Sequence, residues 1–74
     1  MKTITEALAD AATYPTSFTV DFLDRAGERG SAHYSGIDAL RRADHGLEVL
    51  RDRHSTGIVV TGRWADGATR RIDV

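Results

Sequence analysis

Ser35-Gly36-Ile37-Asp38-Ala39-Leu40-Arg41-Arg42-Ala43-Asp44-His45-Gly46-Leu47-Glu48-Val49-Leu50-Arg51-Asp52-Arg53 is the stretch on which the fold turns. A helix opens at Ser35 or Gly36, and two continuations compete. As one helix to about Arg53, the segment carries Ile37, Leu40, Ala43, Leu47 and Leu50 at spacings of 3, 3, 4 and 3, a single apolar stripe. As two elements, the helix stops at His45-Gly46, Gly46 takes the left-handed position after the C-cap, and residues 47–52 form a strand. Three costs weigh on the long helix. Gly46 in its interior costs about 1 kcal/mol relative to Ala, and Asp44/Glu48 and Glu48/Asp52 are like charges four residues apart. They tip the balance narrowly to the strand. The expected order is then αββαβββ, or αββαββ with a long second helix. Both are α+β: an antiparallel sheet of four or five strands packed against two helices.

Upstream, Thr3-Ile4-Thr5-Glu6 has the form of a capping box, the Thr3 hydroxyl accepting from the Glu6 amide while the Glu6 carboxylate accepts from the Thr3 amide. Ile4, Ala7, Leu8, Ala11 and Ala12 follow on one face, and Pro15 forbids continuation, so a first helix is expected over residues 4–12. Residues 17–24 alternate, with Phe18, Val20 and Phe22 on one side and Thr19, Asp21 and Leu23 on the other. The polar run 24–30, with Gly27 and Gly30, reads as a hairpin loop, and residues 31–35 return with Ala32 and Tyr34 on one side. Downstream of the ambiguous stretch, residues 57–64 carry the β-branched run Ile58-Val59-Val60-Thr61. Asp66-Gly67 signals a hairpin, and the final strand places Ile72 and Val74 opposite Arg71 and Asp73.

Composition limits what such a domain does. The 74 residues make one domain, with 41% apolar residues, 28% charged residues and a net charge of −1, outside the range of disordered chains and of strongly basic nucleic-acid binders. With no cysteine, a disulfide framework, a thiolate metal site and a cysteine nucleophile are all excluded. A chain this short buries only about 60% of its unfolded surface, which leaves little for a deep pocket. Neither a signal-peptide pattern nor a membrane span is visible, so the cytoplasm is the expected compartment.

Catalytic and metal chemistry find no constellation. His33, His45 and His54 lack the mutual spacing that puts two imidazoles on one side of an element, so no metal or other cofactor is expected. Asp52, His54 and Ser55 are too close in sequence to line up as orienter, base and nucleophile. Gly27-Glu28-Arg29-Gly30 has neither the spacing nor the following Lys of a phosphate loop. The chain is read as not an enzyme.

Charge is the feature that departs from the ordinary. Residues 1–40 hold 3 basic and 6 acidic groups, a balance of −3, and residues 41–74 hold 7 and 5, a balance of +2. Arg41, Arg42, Arg63, Trp64, Arg70 and Arg71 are the candidate binding residues, because the guanidinium fork fits carboxylate and phosphate alike and Trp and Arg dominate interfaces. The ordinary alternative is that the arginines pair with the interleaved Asp44, Glu48, Asp52, Asp66 and Asp73 as a solvated face.

A hairpin, a helix around Ile37-Asp38-Ala39-Leu40-Arg41-Arg42-Ala43 and a meander ending in Trp64-Ala65-Asp66-Gly67 resemble, in arrangement over residues 17–74, small bacteriophage-encoded proteins of the anti-CRISPR type. That resemblance implies a stoichiometric inhibitor that occupies a nucleic-acid-binding surface of an effector complex; it carries over no site residues. The expected function is accordingly a non-catalytic protein-binding module of phage or mobile-element origin, with a host effector complex as partner. The alternatives are a small nucleic-acid-associated protein using the arginine and Trp64 set, or a self-assembling domain in which a sheet edge joins two copies as a homodimer. No membrane partner is expected.

Overall fold

The computed structural model describes residues 2–74. Its elements are α1 (Ile4–Ala7), β1 (Ser17–Leu23), β2 (Arg29–Ser35), α2 (Ala39–Asp52), β3 (Thr56–Arg63) and β4 (Thr69–Ile72). The four strands form one antiparallel sheet in the order β2-β1-β3-β4. The architecture is the α+β fold expected, in its αββαββ form. After the β1–β2 hairpin, α2 carries the chain across the sheet so that β3 pairs with the far side of β1.

The strand expected at residues 47–52 is absent: α2 is a continuous helix of 14 residues. Gly46, which looked like a helix stop, lies in the helix interior because Tyr34 of β2 packs against its backbone. A Cβ there would fall 2.8 Å from Tyr34 Cζ and closer still to the hydroxyl. The glycine is a close-approach residue, so the helix accepts its conformational cost. The true stop comes eight residues later. His54 adopts φ 59, its amide donates to Arg51 O (3.1 Å) and the Ser55 amide donates to Leu50 O (3.0 Å), a Schellman ending with histidine where glycine is usual.

Other boundaries also move. α1 keeps the capping box, with Glu6 N donating to Thr3 Oγ1 (3.0 Å) and Thr3 N donating to Glu6 Oε1 (3.1 Å). It ends at Ala7 rather than Ala12, and Ala11 and Ala12 are exposed. From Leu8 onward the chain is drawn toward β3, where Pro15 packs on Gly62 and Thr13 O accepts from Trp64 Nε1, so those alanines have nothing to bury against. Ile37 stands outside α2 and is fully exposed. The buried line of α2 is instead Ala39, Ala43, Leu47 and Leu50.

The core sits between the helices and one face of the sheet. Phe18, Ile4, Leu47, Val20 and Val60 are its largest fully buried side chains, with Ile72 and Leu8 beside them. Register explains the sheet's contribution: Val20 pairs with Val60 and Val60 with Ile72, so one row of three strands points apolar groups at the helices. Both hairpins use the same turn. Gly27 (φ 81) donates to Asp24 O and Gly67 (φ 89) donates to Trp64 O, each a three-residue loop whose last residue must take a left-handed conformation. No helix is long and apolar enough to cross a membrane among the described residues.

Candidate binding surface

Because directly paired residues share a side of the sheet, the register fixes what the face away from the helices displays. Its central row runs His33, Thr19, Thr61, Arg71 across all four strands, and Thr19 Oγ1 lies 3.0 Å from His33 Nδ1. The adjoining row runs Ser35, Ser17, Arg63, Thr69. The next holds Ser31, Asp21 and Val59. No helix covers this face, which is rich in hydroxyls and carries no aromatic side chain at these positions.

The six residues singled out in the sequence fall into three pairs. Arg63 and Arg71 share the uncovered face as diagonal neighbours, since Arg63 pairs with Thr69 and Arg71 stands two residues on. The ion pair of Arg71 with Asp73 is long, 3.9 Å, and its carboxylate is almost wholly exposed. Trp64 and Arg70 lie on the helix side of the β3–β4 hairpin, the guanidinium 5.6 Å from the ring centroid, a cation–π contact. Trp64 is half-buried against the core and donates to Thr13 O at 3.2 Å, so its indole fastens the residue 9–16 segment to the sheet. Arg41 and Arg42 are on the first turn of α2: Arg41 pairs with Asp38 at 3.3 Å in solvent, and Arg42 donates to Ser35 O of β2. Strands β2 and β4 are the two edges of the sheet, about 14 Å apart at about 4.8 Å per strand step. The set therefore makes three separate surfaces and no continuous patch.

Two of the five acidic residues expected to neutralise the arginines do something else. Asp44 accepts from Ile4 N (2.5 Å), Thr5 N (3.2 Å) and Thr5 Oγ1 (2.5 Å), tying α2 to the first turn of α1. Asp66 accepts from Ala68 N at 3.0 Å inside the second hairpin. The role of Asp44 was invisible in the sequence, because Asp44 and Ile4 are 40 residues apart. Tyr34 and His45 were likewise not singled out, yet they line a hollow with Arg41, Arg42 and Gly46.

Glu6 has a displaced pKa. The Thr3 amide, and then the Thr3 side chain, hold its carboxyl below its ordinary value of 4.5. Among the described residues no polar or charged side chain is buried, and no three of His, Cys, Asp and Glu converge as metal ligands. No protein-family model, curated protein or solved structure matches the chain.

Proposed function

We propose that this chain is a non-catalytic protein-binding module whose working surface is the uncovered face of its sheet. The observation that carries the reading is one-sidedness: both helices pack on one face and leave the other as an array of hydroxyls around Arg63 and Arg71. Such a face offers hydrogen bonds and two guanidinium forks to a protein surface bearing carboxylates. The absence of aromatic side chains from those rows favours a protein over single-stranded nucleic acid, whose binding platforms use stacked rings.

The test is capture from lysate of the source cell. A defined protein retained by the chain, lost on Arg63→Glu/Arg71→Glu and kept on Arg25→Ala at the hairpin tip, is the expected result. Capture indifferent to the reversed pair, or retention of nucleic acid alone, overturns it. The narrower reading, an inhibitor of the anti-CRISPR type, rests on the resemblance of residues 17–74 in arrangement alone. Expression of the chain in cells carrying each effector type should abolish plasmid interference in one of them. Interference intact in all removes that narrower reading and leaves the binding module standing.

A further inference from the structure

The two sheet edges are unequal. Edge strand β4 has 4 residues, whereas β2 has 7 and carries no proline, lysine or bulge, the usual devices that stop an edge from accepting another strand. In the β1–β2 ladder the bond from Asp24 N to Glu28 O sets the alternation, so the backbone groups of Arg29, Ser31, His33 and Ser35 point away from β1. Ser35 O is already taken by the Arg42 side chain. The outward groups of Arg29, Ser31 and His33 have no strand beside them.

Directly alongside, on the helix side of this edge, lies a hollow of about 520 Å³ lined by Tyr34, Arg41, Arg42, His45 and Gly46. Its charged groups are two guanidiniums, its other polar side chains are a phenol and an imidazole, and no carboxylate lines it. Asp38 holds Arg41 in an exposed pair that a competing carboxylate readily replaces, and Asp44 and Glu48 line the neighbouring groove on the other side of Arg41 and His45. A strand added to β2 would lie about 4.8 Å outside it, with alternate side chains directed to this side.

We propose that the β2 edge accepts an extended segment of a partner protein, with an Asp or Glu side chain of that segment seated in the Tyr34–Arg41–Arg42–His45 hollow. Charge complementarity selects this occupant over a second copy. A second copy pairing through its own β2 brings no carboxylate to seat in the hollow, because Arg29–Ser35 contains no acid. The site lies off the uncovered sheet face and does not rest on the function proposed for that face.

Selection of displayed eight-residue peptides on the intact chain tests it. The expected winners carry Asp or Glu at one position and β-forming residues around it. They protect the Ser31 and His33 amides from hydrogen exchange, and bind at least ten-fold more weakly to Arg41→Gln/Arg42→Gln while binding Arg63→Glu/Arg71→Glu normally. His33→Pro, which removes an outward amide and no ladder bond, should abolish binding. Winners without acidic enrichment, protection elsewhere than β2, or a concentration-dependent dimer that His33→Pro dissolves would each overturn the proposal. The exchange measurement decides the matter even if the proline variant fails to fold.

Discussion

At position 46 an exposed helix would gain about 1 kcal/mol from alanine in place of glycine; here the sign reverses, because the added methyl meets the Tyr34 ring. Gly46→Ala should destabilise by about 1–3 kcal/mol, the range for overpacking. In a Tyr34→Ala background the same change should stabilise. A double-mutant cycle by urea denaturation reads both, and equal effects in the two backgrounds would refute the close-approach account. His54 is the converse case. A side chain holds a left-handed conformation at φ 59 where glycine pays no steric penalty, so His54→Gly should stabilise by about 1 kcal/mol in the same measurement. Together these two residues explain why the middle of the chain misleads when read alone: the glycine that resembles a stop is explained by a tyrosine on another element, and the stop itself bears no glycine.

Among elements, those set by local chemistry were legible. The capping box of α1, the alternation that buries Phe18 and Val20, and both hairpins follow from neighbours in sequence. What tertiary contacts decide was not: the length of α1, the pairing of β1 with β3, and the division of the arginines among three surfaces, which depends on register. α1 has only 4 residues and depends on such contacts for its existence. Asp44→Ala strands the Ile4 and Thr5 amides and should cost about 1–3 kcal/mol, with exchange protection lost first in α1. Glu6 adds a pH dependence whose direction is fixed. Its folded-state pKa is depressed, so its contribution is present above the ordinary value of 4.5 and is lost as pH falls through the lower folded value. Glu6→Gln should flatten that part of the stability profile while leaving stability below it little changed; an unaltered profile would show that the capping carboxylate is uncoupled from folding.

Across the whole molecule, the split of charge between the chain's halves does not become two charged faces held together by ion pairs. Only Arg41–Asp38 and Arg71–Asp73 pair among the described residues, both in solvent, while the core is entirely apolar. Exposed pairs contribute about 0–1 kcal/mol each and weaken as salt shortens the screening length. Stability measured with urea, which adds no charge, should therefore change by less than about 1 kcal/mol between 0.05 M and 1 M NaCl, concentrations set by screening lengths of about 14 Å and about 3 Å. Partner capture through Arg63 and Arg71 should fall across the same range, because those guanidiniums spend their charge on a partner and little on the fold. A salt-sensitive fold would instead mean that Arg41 and Arg51, which share a groove with Glu48 and Asp52, are paired with them in solution. That side of α2 would then be a neutralised face, while Arg63 and Arg71, across the sheet, would stay available to a partner.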